Sequence, residues 1–204
     1  FYGVSAAGGA TTTVNPLHTA ARFLLTVPPL LDRAVEAATG SGVEEVFVFG
    51  EAKGATPFAS LLPATGTAPL TIGIDPAIDL VALPYSSGTT GLAKGVMLTH
   101  RNLVATLVQW NAVLPSGPED RLIAVLPFFH TYGLSLLLGW PLWCGATLVS
   151  MPRFDLEEFL RILQEQRITR ALVVPPIVSA LAKHPLVADY DLSALELIGS
   201  GAAP

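Results

Sequence analysis

From Leu122 to Pro152 the chain carries no Asp, Glu, Lys or Arg. A stretch that long without charge is hidden from water, either in a bilayer or inside a packed core. Pro127, Gly133, Gly139, Pro141 and Gly145 break it into short pieces, and His130 lies within it. A membrane-spanning helix needs roughly 20 predominantly apolar residues in one run. The stretch therefore reads as strand, helix and strand in the buried centre of an α/β domain, with no membrane span.

The rest of the chain follows the same pattern. Short apolar runs alternate with helical periodicity, which predicts an α/β fold with a largely parallel sheet. Strands are expected over Thr11–Val14, Ala21–Val27, Glu45–Phe49, Asp79–Tyr85, Arg121–Leu126, Ala146–Ser150, Arg170–Val174 and Leu195–Ile198. Helices are expected over Leu30–Thr39, Arg101–Leu114, Tyr132–Leu138 and Pro176–Lys183. Gly40-Ser41-Gly42 reads as a helix stop. Thr99 is placed to cap the helix that follows it. Asp155 with Glu158 forms a capping box ahead of Leu156, Phe159, Leu160 and Leu163, which recur at helical spacing. Residues 50–75 carry several Gly and Pro, with a short apolar piece around Phe58–Leu62, and read as a connection with one helical turn.

Charged residues are only 13% of the 204, about half the usual share. Much of the surface is therefore expected to be covered, inside the domain or against other parts of a larger protein. The net charge of -5 and the absence of any basic run exclude nucleic acid as the main partner. The single cysteine, Cys144, rules out an internal disulfide framework and fits a reducing, cytoplasmic setting. With no charged neighbour in sequence it reads as a buried structural thiol. The chain starts at Phe1 without an initiator Met and stops at Pro204 just after an apparent strand. Both ends read as cuts through a longer protein.

The segment Ser86-Ser87-Gly88-Thr89-Thr90-Gly91-Leu92-Ala93-Lys94-Gly95 is the part that carries chemistry. Hydroxyls and backbone N–H groups donate to phosphate oxygens, and glycines let the backbone come close. Lys94 adds a mobile positive charge for a polyphosphate. The loop is not a Walker A motif, in which Ser or Thr follows the lysine, because Gly95 stands there. A plain Ser/Gly turn would need neither the lysine nor so dense a set of hydroxyls.

With Tyr85 before it and Val96 after it, this loop resembles the signature of the acyl-adenylate-forming superfamily. That superfamily includes acyl-CoA ligases, luciferases and peptide-synthetase adenylation domains. Within it the chain is most similar to 4-coumarate:CoA ligase-like enzymes. The similarity runs from Thr12-Thr13-Val14-Asn15-Pro16 to Gly201-Ala202-Ala203-Pro204. Ala93 departs from the family's usual proline without removing a donor or a charge. Thr19-Ala20 runs straight into Ala21-Arg22, where family members carry a helical stretch, so a segment is expected to be absent at Ala20–Ala21.

The resemblance implies layered parallel-sheet subdomains, part of a large N-terminal AMP-binding domain. Residues 1–80 would be the end of a first subdomain and its connection. Residues 81–204 would be a second subdomain with the phosphate loop. It further implies that Ser86, Ser87, Gly88, Thr89, Thr90, Gly91 and Lys94 bind the ATP phosphates, and that Gly201, Ala202 and Ala203 border the adenylate. Lys94 and His130 carry the catalytic expectation. His130, Tyr132, Leu136 and Ala202 would line the acyl pocket. Read on the residues alone, His130 and Tyr132 fit a satisfied core histidine and a packing tyrosine. Leu136 stands where plant coumarate ligases tend to have a polar pocket residue, which favours an apolar acid. Arg153, in Met151-Pro152-Arg153-Phe154, would meet the CoA nucleotide or, on the residues alone, stand solvated at the surface.

The implied reaction joins a carboxylic acid, aromatic or fatty, to AMP and then to CoA, using ATP and Mg2+. No metal ligand is expected within this segment. The family's ribose-binding aspartate, hinge and C-terminal domain are absent from the sequence, so the isolated segment is expected to be inactive. Two other readings stay open at this point. One is an adenylation domain that loads a carrier protein. The other is a nucleotide-binding homologue without catalysis.

Overall fold

The computed structural model of the chain describes residues 22–62, 72–86 and 94–202. The expected strand at Thr11–Val14 and the Ala20–Ala21 junction lie outside the described residues. The chain divides into two compact units, residues 1–99 and 100–204.

The first unit opens on β1 (Phe23–Thr26), which a short 3-10 turn, Pro28–Leu30, joins to α1 (Leu31–Ala38). Leu31 and Ala34 face inward from α1. The helix stops as the sequence predicts: Gly40 follows it at φ 74°, a left-handed conformation that only glycine takes without strain. Next come β2 (Glu45–Val48) and β3 (Thr56–Pro57). The three strands form one parallel sheet in the order β1-β2-β3. Pro57, which has no N–H to give to a ladder, sits on the edge strand as that chemistry requires. The connection carries one 3-10 turn, Phe58–Leu61.

The remaining strands of this unit make two short antiparallel ribbons. β4 (Leu80–Ala82) ends before Tyr85, and the expected run Asp79–Tyr85 is split. Pro84 lacks the donor that would continue the ladder. β5 (Tyr85–Ser86) pairs with β6 (Lys94–Gly95), and β4 pairs with β7 (Leu98–Thr99).

The second unit begins with α2 (His100–Val113) and β8 (Arg121–Ala124). A π-helix, Gly133–Gly139, runs into α3 (Trp140–Cys144), followed by β9 (Thr147–Ser150). Then come α4 (Leu156–Glu165), β10 (Arg170–Val173), α5 (Pro175–Lys183) and β11 (Leu197–Ser200). The four strands form one sheet in the order β11-β10-β8-β9, and every pair is parallel. The α/β class expected from the alternation is present, with both larger sheets parallel.

Side chains divide by strand parity. Ile123, Ala171 and Val173 join Phe159, Leu160, Leu163 and Ile177 on one face. Leu122, Ala124 and Leu172 join Leu137 and Trp140 on the other. Strands covered on both faces read as unbroken apolar runs, which is why β8 and β10 are legible in the sequence. Full burial of each Leu, Ile or Phe contributes roughly 1.5–3 kcal/mol.

The uncharged stretch thus becomes β8, the π-helix, α3 and β9. Among the described residues no helix is long and apolar enough to cross a membrane. The π winding departs from the helix that periodicity predicts. Trp140 N donates to Ser135 O, five residues back. Pro141 supplies the reason: in α winding its ring would collide with the carbonyl four residues earlier.

The capping box is half formed. Asp155 accepts from the Glu158 amide at 3.0 Å, but the Glu158 carboxylate turns to Arg161. Cys144 is half-buried, and its thiol donates to Asn111 Oδ1 at 3.3 Å. Burial and the Asp120 charge push that thiol up, which Arg170 only partly opposes.

Candidate functional site

The larger sheet has a direction. Because all four strands are parallel, their C-terminal ends share one edge. From β8 the chain leaves to β9 on one side, and from β10 it leaves to β11 on the other. The gap between β8 and β10 is therefore a topological switch point, where open α/β sheets present a crevice to ligands. The sequence-predicted residues of this unit follow these ends. His130 and Tyr132 come after β8, Arg153 after β9, and Gly201 and Ala202 after β11.

The turn after β8 is built by short local bonds. The His130 amide donates to Pro127 O at 3.2 Å, and Leu134 N donates to His130 O at 2.8 Å. The Tyr132 amide donates to His130 Nδ1 at 3.3 Å. Nδ1 is thereby used as a local acceptor. The His130 side chain is exposed. Gly133 makes the turn possible, because a Cβ there would stand 2.0 Å from Pro127 O.

Tyr132 is half-buried, and burial pushes its phenol up, so it remains a donor. The hydroxyl gives its proton to Val173 O at 3.3 Å. The Gly201 amide donates to the same carbonyl at 3.2 Å. A side chain at Gly201 would begin 3.4 Å from the Tyr132 ring. Ala202 follows at φ 57°, left-handed and unfavourable for a residue with a Cβ. Tyr132, Val173, Gly201 and Ala202 are thus drawn together from three segments.

Leu136 packs half-buried against the cluster that holds Trp140 and Leu137. Arg153 is exposed, between buried Met151 and half-buried Phe154. Ala203 lies outside the described residues.

In the first unit, Ser86 and Lys94 are direct partners in the β5–β6 ribbon, and both are exposed. Tyr85 pairs with Gly95, and Val96 N closes onto Pro84 O at 2.8 Å. Both arms of the Ser86–Gly95 segment are therefore held in register. Ser87, Gly88, Thr89, Thr90 and Gly91 lie outside the described residues.

The opposite edge of the larger sheet holds a group that sequence reasoning missed. Asp120 is 3% exposed and lies 2.7 Å from Arg170 Nε. It also accepts from Ser116 Oγ, the Gly117 amide and Thr169 Oγ. Burial pushes its carboxyl up, but the bonds from Arg170, Ser116, Gly117 and Thr169 prevail and hold it at about 2. No sequence signal links Asp120 to Arg170, because their strands meet only in the sheet. Among the described residues no group of three or more His, Cys, Asp or Glu could hold a metal ion. Two open clefts are present among the described residues: one of about 590 Å3 beside α1, and one of about 490 Å3 at this opposite edge, lined by Thr169, Arg121 and Arg167.

The whole chain, residues 1–204, matches the family described as AMP-binding enzyme. It is 40% identical to 4-coumarate--CoA ligase 5 of Oryza sativa subsp. japonica, over all of this chain and 40% of that protein. That alignment runs over 219 positions, so the relative carries residues for which this chain has no counterpart. A natural red-emitting luciferase from Phrixothrix hirtus superposes with a TM-score of 0.86 at 26% identity, over 98% of this chain and 42% of that one. ATP-bound MatB from Rhodopseudomonas palustris superposes with a TM-score of 0.81 at 27% identity, over 98% and 41%. The chain spans about 40% of the length of the curated relatives it matches.

Proposed function

The chain belongs to the AMP-binding enzyme family, and from that premise we propose that the protein containing it joins a carboxylic acid to AMP and then to CoA. The carboxylate oxygen attacks the α-phosphorus of ATP, and the bond to the β-phosphate breaks, releasing pyrophosphate. The CoA thiol then gives up its proton and attacks the acyl carbonyl, and AMP leaves. The observation that carries this reading is the gathering of Tyr132, Gly201 and Ala202 at a switch point, in a chain whose Ser86–Gly95 loop suits a triphosphate.

Each residue has a role in the proposal. Ser86, Ser87, Gly88, Thr89, Thr90 and Gly91 cradle the phosphates with hydroxyls and amides. Lys94 neutralises charge on the departing pyrophosphate, a contribution that acts through position rather than covalent chemistry. Gly201, Ala202 and Ala203 border the adenylate. The Tyr132 ring, Leu136 and Ala202 line the acyl pocket, with His130 at its carboxylate end. Arg153 offers a forked pair of donors to a CoA phosphate. Mg2+ bound with ATP would lower the charge on its phosphates. The acid is aromatic without polar ring substituents, or fatty, because Leu136 adds an apolar wall.

The test uses the full-length protein with ATP and a panel of carboxylic acids, each with and without CoA. AMP release and acyl-CoA formation are followed by mass spectrometry. CoA-dependent thioester from an apolar aromatic or fatty acid is the expected result. Acyl-AMP formed without any thioester on adding CoA would assign the second half-reaction to another acceptor.

A further inference from the structure

One carbonyl, Val173 O, ends β10 and receives two donors from opposite sides of the switch point. The Tyr132 hydroxyl reaches it from the segment after β8, at 3.3 Å. The Gly201 amide reaches it from the end of β11, at 3.2 Å. A carbonyl oxygen has two lone pairs, so both bonds can be held at once. The Tyr132 ring also lies over the side of Gly201 where a side chain would start, 3.4 Å from that position. The next residue, Ala202, holds φ 57°. A residue with a Cβ keeps that conformation only where its surroundings enforce it.

We propose that Tyr132 is a positioning residue: its phenol, sharing Val173 O with Gly201, clamps the Gly201–Ala202 turn in the shape that receives the adenylate. The inference rests on the ligase reading above for what the turn receives. The clamp itself rests on distances. A tyrosine has one proton to donate, and here a protein carbonyl takes it. The phenol oxygen keeps its lone pairs, so a hydroxylated acid gains at most a bond that it donates itself.

The experiment compares Tyr132→Phe with the parent in the full-length protein. Phenylalanine keeps the ring and removes only the hydrogen bond. Two acids are used, cinnamic acid and para-hydroxycinnamic acid, together with deuterium exchange of the peptide covering residues 197–202. A lost hydrogen bond of ordinary strength corresponds to about 3–10-fold. The expected result is a fall of that size in kcat/KM for ATP, equal for both acids, with faster exchange in the peptide. A loss confined to para-hydroxycinnamic acid would overturn the proposal, because the hydroxyl would then be reading substrate. Unchanged exchange would also overturn it. If the parent protein forms no AMP from any acid, the ligase reading fails, and exchange alone then decides the clamp.

Discussion

Ser86 and Lys94 face each other across the antiparallel ribbon β5–β6. They are therefore neighbours, although seven residues stand between them in sequence. The ammonium of Lys94 stands on a paired strand rather than on a free loop. Both side chains are exposed, so neither adds packing that holds the unit together.

Lys94→Ala is expected to lower AMP formation in the full-length protein by on the order of 10–100-fold, since a preorganised charge at a leaving group is removed. Stability should change by no more than about 0.5 kcal/mol, because the side chain is exposed. Steady-state kinetics and urea unfolding check the two halves separately. A large loss of stability with kinetics intact would contradict the assignment.

Gly133→Ala puts a Cβ 2.0 Å from the Pro127 carbonyl oxygen, and backbone cannot step aside as a side-chain tip can. A loss of about 1–3 kcal/mol or more is expected from overpacking. The His130–Tyr132 turn rests on this contact, so adenylation should fall as well. Urea denaturation together with pyrophosphate exchange measures both. Unchanged stability would mean the turn can shift at little cost.

Asp120 gives a pH dependence whose sign follows from its depressed value. Its carboxyl sits at about 2 in the folded chain, against an ordinary 3.8. A group lowered by folding stabilises above the unfolded value, and that stability is lost as pH falls through the folded one. The contribution is about 2 kcal/mol, lost between roughly pH 4 and pH 2. Asp120→Asn leaves Arg170 half-buried without its charge partner and should cost about 3–5 kcal/mol at neutral pH. The variant should also have a flatter stability profile over that window. If Asp120→Asn kept the parent's acid profile, the titration would lie elsewhere.

Arg167 ends α4 in a left-handed conformation, φ 47°. Ile168 N donates to Leu163 O and Arg167 N to Gln164 O, the paired bonds of a Schellman motif. Glycine takes that position without strain. Arg167→Gly is expected to raise stability by roughly 0.5–1 kcal/mol without changing ligase kinetics, because the residue is exposed on the opposite edge from Tyr132. Thermal unfolding of the variant is the check.

Features that depend on neighbours in sequence are legible without the fold. Asp155 reads as a cap because the amide it binds lies three residues on. The stop at Gly40 reads from a single residue's backbone freedom. The runs at β8 and β10 read as strands because parallel strands buried on both faces leave no polar positions. The π winding is less accessible. Pro141 marks a disturbance in a helical pattern, but its collision partner is a carbonyl whose position depends on the winding itself.

By itself, then, the sequence determined the α/β class, most of the element positions and the composition of the phosphate loop. These follow from periodicity, from local hydrogen bonds and from the chemistry of hydroxyls, glycines and a lysine in one short segment. Only the tertiary structure decided that β8 and β10 lie side by side, with Tyr132 and Gly201 meeting on Val173 O. It also decided that Asp120 and Arg170 close the far edge. Strand order is set by how separate segments pack on both faces of the sheet, and no local pattern encodes that order.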